Sequence, residues 1–266
     1  MMVPFFKMHG TGNDFIVIDN RPHYIQRYFD NQQLISRLCN RHLGIGADGL
    51  ILINAKAGFD FEMIYFNSDG YPGTMCGNGG RCAVAAANHL NMIHGKARFI
   101  VNDIEYQAVI LQKKHNEIFV KLRLNDVTGY KITDTYIFMN TGSPHHVEFV
   151  DNVMDMDVYN AGKHIRNSDL YRGQGANVDF VQLMEEHIFV RTFERGVEDE
   201  TLSCGTGVVA SVLATALRNE TPGASAMEVR TKGGNLKVYF SFAHDTFTDI
   251  YLEGPATFVF KGEIEL

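Results

Sequence analysis

Apolar and polar positions along the chain fall into short runs, and their order suggests one set of elements laid down twice. Residues 5–9 and 15–19 read as strands joined by the turn-rich loop Gly10-Thr11-Gly12-Asn13-Asp14. Asp30 is expected to N-cap a helix that carries Leu34, Ile35 and Leu38 on one face and ends near Gly44. Short strands over 50–53 and 61–66 follow, and the second runs into the loop Asn67-Ser68-Asp69-Gly70. Next comes Met75-Cys76-Gly77-Asn78-Gly79-Gly80-Arg81-Cys82, opening an Ala/Val-rich run that reads as a buried helix, then strand-like runs over 98–101, 104–112 and 117–124.

The second half repeats the plan. A strand over 136–139 leads to the loop Thr141-Gly142-Ser143-Pro144-His145-His146 and a strand over 147–150. A short polar helix is expected over 160–168, followed by a strand carrying Asn177. Two strands flank Glu185-Glu186-His187, and the second delivers Glu194 and Arg195 to Ser203-Cys204-Gly205-Thr206-Gly207 and another Val/Ala run. A hairpin turning at Gly233-Gly234-Asn235 and strands near 247–253 and 256–266 finish the chain. The predicted class is α/β of the α+β type: two pseudo-symmetric domains, each a mostly antiparallel sheet wrapped around a central helix.

The two Cys-Gly-X-Gly stretches carry the chemistry, with Cys76 and Cys204 128 residues apart in a chain of 266. A cysteine just ahead of a helix sits among free backbone N–H groups at the positive end of the dipole, which favour thiolate and bind carboxylate. One such cysteine is more often structural; two at half-chain spacing point to a pair that works together. Cys39, on an amphipathic helix, and Cys82, on the Ala-rich helix, read as core residues. Two thiols on opposite sides of one small anion suit stereoinversion at carbon, one taking a proton as thiolate and the other returning one as thiol. The helix N-termini would receive the charge that moves onto the α-carboxylate. A redox pair would show Cys-X-X-Cys, a structural zinc would need four ligands at recognisable spacing, and Cys–His acyl transfer would leave the repeat unexplained.

Composition narrows the partners. A net charge of −7 without a basic block argues against nucleic acid, and no apolar run approaches the ~18 residues of a membrane span. Met1–Lys7 lacks the apolar stretch of a signal peptide, and four unevenly spaced cysteines do not make a disulfide framework. A cytoplasmic protein with reduced thiols is expected.

The chain resembles the diaminopimelate epimerases over nearly its whole length. The likeness rests on Lys7-Met8-His9-Gly10-Thr11-Gly12-Asn13-Asp14-Phe15, Gly46-Ala47-Asp48-Gly49, Phe66-Asn67-Ser68-Asp69-Gly70 and the Cys76 motif. It continues through Gly142-Ser143-Pro144-His145, Gly175-Ala176-Asn177-Val178 and Glu194-Arg195-Gly196 to the Cys204 motif. The resemblance implies cofactor-independent interconversion of LL- and meso-diaminopimelate, for lysine and peptidoglycan precursors, without pyridoxal phosphate or metal. It implies two domains closing on substrate, over 1–125 with the C-terminal strand 261–266 and over 126–260, in a homodimer. Cys76 and Cys204 are then the two acid/bases, assisted by His145 and Glu194. Asn13, Asn67, Asn177 and Arg195 would hold the substrate's distal end, Glu194 would also line the binding site, and Gly77-Asn78 and Gly205-Thr206 would meet the reacting carboxylate.

Three positions depart from the family pattern. Gly49 stands where some members carry a substrate-contacting glutamine. Ser143 replaces an asparagine and brings a shorter hydroxyl to the distal end. The segment through Glu198-Asp199-Glu200 is one residue longer, and the extra residue is expected to bulge outward. A proline or hydroxyproline racemase is the rival within the class, although Asn78 stands where its histidine is expected. A ligand-binding protein without turnover is the rival outside it, against which the presence of both cysteines speaks.

Overall fold

The computed structural model describes residues 1–21 and 32–266, and these form two compact units. Unit 1 comprises Met1–Leu122 with Gly254–Leu266, and unit 2 comprises Arg123–Glu253. Among the described residues no helix is long and apolar enough to cross a membrane.

In unit 1, β1 (Met2–Gly10) and β2 (Asn13–Asp19) form a hairpin tighter than the five-residue loop expected from sequence. Gly10 pairs with Asn13, so only Thr11 and Gly12 turn, at φ of 50° and 89°. Both central residues having positive φ is the twist that a two-residue hairpin needs. The helix α1 (Gln32–Cys39) crosses to β3 (Gly49–Asn54), parallel to β2, and β4 (Phe61–Asn67) returns antiparallel. The Asp30 cap lies outside the described residues. The helix stops short of Gly44 because Ile45 and Gly46 both turn their N–H groups back to the Leu38 carbonyl. Helix α2 (Gly77–His89) then crosses to β5 (Lys96–Val101), parallel to β4, and β6 (Ile104–Lys114) and β7 (Glu117–Arg123) follow antiparallel.

Unit 2 repeats this order and sense. After the short β8 (Val127–Thr128) and β9 (Tyr130–Ile132) come β10 (Tyr136–Asn140) and its antiparallel partner β11 (Pro144–Phe149). Helix α3 (Val158–Arg166) crosses to β12 (Asn177–Leu183), parallel to β11, and β13 (His187–Glu194) returns. A three-residue β14 (Asp199–Thr201) precedes α4 (Gly205–Arg218), which crosses to β15 (Gly223–Thr231), parallel to β13. Then β16 (Gly234–Ala243) and the start of β17 (Thr246–Glu265) run antiparallel.

Two differences from the sequence reading matter. His145 and His146 belong to β11 rather than to a loop, because Pro144, which lacks an N–H, opens the strand and the histidines take ladder positions beside β10 and β12. The expected strands near 247–253 and 256–266 are one strand of 20 residues that changes partners. It pairs with β16 up to Glu253, with β7 from Gly254 and with β1 as far as Glu265, so the return to unit 1 starts before Lys261.

The cores follow from layering. Ile16 and Ile18 of β2 pack with Ile35 and Leu38 of α1, which leaves Phe15 and Val17 on the other face with α2, so the strand reads as a solid apolar run. In unit 2, Val178, Phe180 and Phe193 pack with Val158 of α3. The alternate residues of β12 and β13 therefore face α4. Both α2 and α4 are buried along nearly their whole length. Their small Ala and Val side chains let strands approach from several sides.

Leu213, fully buried on α4, has no room to be replaced by solvent. Leu213→Ala is expected to lower the unfolding free energy by about 3 kcal/mol. The chain has no tryptophan, so urea unfolding followed by far-UV circular dichroism is the measurement.

Candidate active site

Each unit presents one cysteine at the start of its buried helix, with the same backbone conformation. Cys76 caps α2 at φ −103°, ψ 123°, and Cys204 caps α4 at φ −105°, ψ 113°. Both are extended, and both accept the first helical bond, from Gly80 N and Val208 N at 2.8 Å. The amides of the first turn have no acceptor within the helix and point toward the cysteine end, where an anion can meet them.

Around Cys76 the groups are amides and a charge network. The Asn13 Oδ1 lies 3.6 Å from the Cys76 Sγ and accepts from Asn78 Nδ2 at 3.3 Å. Asn13 Nδ2 donates to Asp48 Oδ2 at 2.9 Å, which fixes the direction of its amide. Asp48 is held in turn by Arg41 (2.8 Å), and Arg41 and Lys7 both pair with Asp14, at 2.8 and 2.6 Å. Burial pushes the Asp14 carboxyl up, but hydrogen bonds from Arg41 and Lys7 outweigh it and hold the group at about 2. Thr11, in the strained turn, points its hydroxyl at Asn78 Oδ1 (3.5 Å). Positive φ is costly for a β-branched residue, and here it sits beside the site.

Around Cys204 the groups form a relay. The buried His145 contacts Asp179 Oδ2 through Nδ1 at 2.7 Å and Thr206 Oγ1 through Nε2 at 2.9 Å. Thr206 Oγ1 lies 3.5 Å from the Cys204 Sγ. With Asp179 accepting, Nδ1 carries the proton and Nε2 accepts, from Thr206 and from Asn177 Nδ2 at 3.3 Å. Thr192 Oγ1 donates to the second Asp179 oxygen at 2.7 Å. Gly207 leaves room for that carboxylate, since a Cβ there would lie 2.3 Å from Asp179 Oδ1. Glu194 accepts from Thr201 Oγ1 and from the Cys204 thiol. Burial, above all, raises the Glu194 carboxyl. Burial, then the negative charges of Glu194 and Asp179, push the Cys204 thiol well above its ordinary value, against a bond from the Gly207 amide.

The remaining expected residues are placed as follows. Asn177 is oriented by the Arg195 backbone N–H (2.9 Å), and the exposed Arg195 guanidinium donates to the Gln174 carbonyl (2.7 Å). Ser143 is half-buried on the β10–β11 turn. Asn67 is exposed at the end of β4, where its carbonyl closes the turn to Gly70. Gly49 is explained by its neighbour: a Cβ there would lie 2.5 Å from the Tyr65 ring. The lengthened segment forms an exposed loop closed by Glu198 N on the Glu194 carbonyl (2.8 Å). Cys39 and Cys82 are buried, and burial pushes both thiols up to about 12.

Sequence reasoning gave Asp48, Asp179, Thr192 and Thr201 no role. The signal for Asp179 was period two. It shares with Asn177 one face of a mostly apolar strand, and that face looks at α4.

Two like units, each opening a buried helix with a cysteine, share their fold with racemases and epimerases of known structure. A probable proline racemase from Agrobacterium radiobacter superposes with a TM-score of 0.72 at 14% identity, covering 99% of this chain and 93% of that one. A hydroxyproline epimerase from Agrobacterium vitis gives 0.71 at 14%, covering 100% and 93%. A Bacillus anthracis protein of the PhzF phenazine-biosynthesis family gives 0.77 at 15%, covering 100% of both chains. Sequence then narrows the class. Residues 5–111 and 137–259 match the profile described as diaminopimelate epimerase. The diaminopimelate epimerase of Flavobacterium psychrophilum is 48% identical over 97% of this chain and 99% of its own. That of Chlorobaculum tepidum is 42% identical over 97% and 100%. The chain belongs to the diaminopimelate epimerase family.

The Glu194 charge raises the Cys204 thiol, so removing it acts against intuition. Glu194→Gln is expected to speed iodoacetamide alkylation of Cys204 severalfold at pH 8.5 and move its pH midpoint toward acid. Peptide mass mapping reads it, with the buried Cys39 and Cys82 as unlabelled references. A slower Cys204 would show that Glu194 supports the thiolate instead.

Proposed function

We propose that this isomerase interconverts LL- and meso-2,6-diaminopimelate with Cys76 and Cys204 as its two acid/bases. The observation that carries the reading is the matched pair of cysteine-capped helices, each with its cysteine in the same extended backbone region at the start of a buried helix. One thiolate takes the α-proton and becomes a thiol. The charge left on carbon spreads into the α-carboxylate, where the amides of the helix starts, at Gly77-Asn78 and Gly205-Thr206, receive it. The other thiol gives its proton to the opposite face and becomes a thiolate, so the reaction is balanced without an external reagent.

Burial and the charges of Glu194 and Asp179 keep Cys204 protonated at rest, which fits it to enter as the acid. The Asp179–His145–Thr206 relay orients the hydroxyl beside its sulfur. Asn13, Asn67, Ser143, Asn177 and Arg195 are assigned to the substrate's second amino-acid end, whose carboxylate and ammonium suit amides, a hydroxyl and a guanidinium. Units 1 and 2 are then the two epimerase domains of a cytoplasmic homodimer that serves lysine and peptidoglycan precursor synthesis.

The test is incubation of the reduced protein with pure LL-diaminopimelate in D2O, followed by proton NMR and chiral analysis. Deuterium at one α-carbon with appearance of the meso form is expected, and Cys76→Ala and Cys204→Ala should each lower the rate by at least about three orders of magnitude, as loss of a positioned acid/base does. Exchange into L-proline or hydroxyproline alone would refute the assignment, as would turnover that survives either substitution.

A further inference from the structure

Among the described residues Arg81 is the largest fully buried side chain, and the reaction above gives it nothing to do. Its guanidinium meets only uncharged partners: Nε donates to the Pro255 carbonyl (3.3 Å) and the terminal nitrogens to the Gly77 carbonyl (3.4 Å), Asn78 Oδ1 (3.0 Å) and Thr11 Oγ1 (3.3 Å). Among the described residues no carboxylate pairs with it. Buried charges are ordinarily paired, because desolvation is otherwise uncompensated. Burial lowers its pKa to about 10, so Arg81 stays charged at neutral pH.

The surrounding charges do not cancel it. From β1, β2 and the loops before β3 come Lys7, Asp14, Arg41 and Asp48, two cations and two anions tied to one another. Glu62 of β4 pairs with Lys56, and His9 of β1, near Glu117 of β7, is held neutral chiefly by burial. Two thiols lie within electrostatic reach of Arg81, Cys82 and Cys76. Cys82 is pushed up to about 12 and stays neutral, which leaves Cys76.

The same guanidinium also sets an orientation. Asn78 Oδ1 is occupied by Arg81 and Thr11, so its Nδ2 is directed at Asn13 Oδ1 and competes there with the Cys76 thiol, which donates to the same oxygen. Gly10 makes the approach possible, for a Cβ there would lie 3.0 Å from both the Arg81 terminal nitrogen and the Asn78 carbonyl oxygen. We propose that Arg81 is a positioning residue for Cys76: its fork locks the Asn78 amide, and its uncompensated charge behind the first turn of α2 favours the Cys76 thiolate. This rests on the reading of Cys76 as an acid/base.

The test follows alkylation of Cys76 by iodoacetamide between pH 6 and 10, read by peptide mass spectrometry on the reduced full-length protein, for wild type, Arg81→Gln and Arg81→Met. Both variants are expected to move the Cys76 midpoint up by about one pH unit, about tenfold slower labelling near neutrality, while the Cys204 midpoint stays in place. The KM for LL-diaminopimelate should rise more for Arg81→Met than for Arg81→Gln, whose amide keeps one donor for Asn78. Two neutral variants of different shape guard against one failing to fold, which far-UV circular dichroism reports. An unmoved Cys76 midpoint in either folded variant overturns the proposal, as does a common shift of Cys76 and Cys204. Alkylation needs no turnover, so a protein inactive on diaminopimelate would refute the functional reading and still leave the role of Arg81 decided.

Discussion

A helix enclosed by sheet on its sides can act on a ligand only through its ends. That constraint organises this protein. Residues Cys82 to Ala87 of α2 and Val208 to Ala216 of α4 are almost wholly inaccessible, so their flanks are committed to packing. The strands around them are covered on both faces and read as solid apolar runs. What remains is the first turn, where N–H groups have no helical partner and the dipole is positive. A cysteine at that point, with extended backbone, directs its sulfur into the same region as those amides.

The two sites use one backbone plan with opposite electrostatics. Cys204 is buried beside two carboxylates, which with burial keep its proton on. Cys76 is more open, and the buried Arg81 cation lies within its electrostatic reach. Similar helix starts thus place their sulfurs in different surroundings. Side chains from strands make the difference: β11, β12 and β13 each point alternate residues at α4, and three of those positions carry His145, Asp179 and Glu194.

The pair of Cys-Gly-X-Gly motifs, the buried helices and most strands were legible in the chain, because period and turn chemistry are local. The β8, β9 and β14 strands were not, being two or three residues long and too short to show a period. The single β17 read as two strands because Gly254 and Pro255 look like a break. In the structure they mark the exchange of β16 for β7, with the proline carbonyl turned to Arg81.

Sequence by itself determined the two cysteines, the helices they open, and the candidate residues around them, since each is carried by a motif or by local periodicity. Tertiary structure decided which groups tune them. Arg81 looked like one more residue of a helix start, and Asp179 like one polar residue in a strand. Neither burial without a carboxylate nor a 2.7 Å contact to His145 can be read from spacing along the chain. Both depend on which strands cover a helix, and that is settled only when distant segments pack.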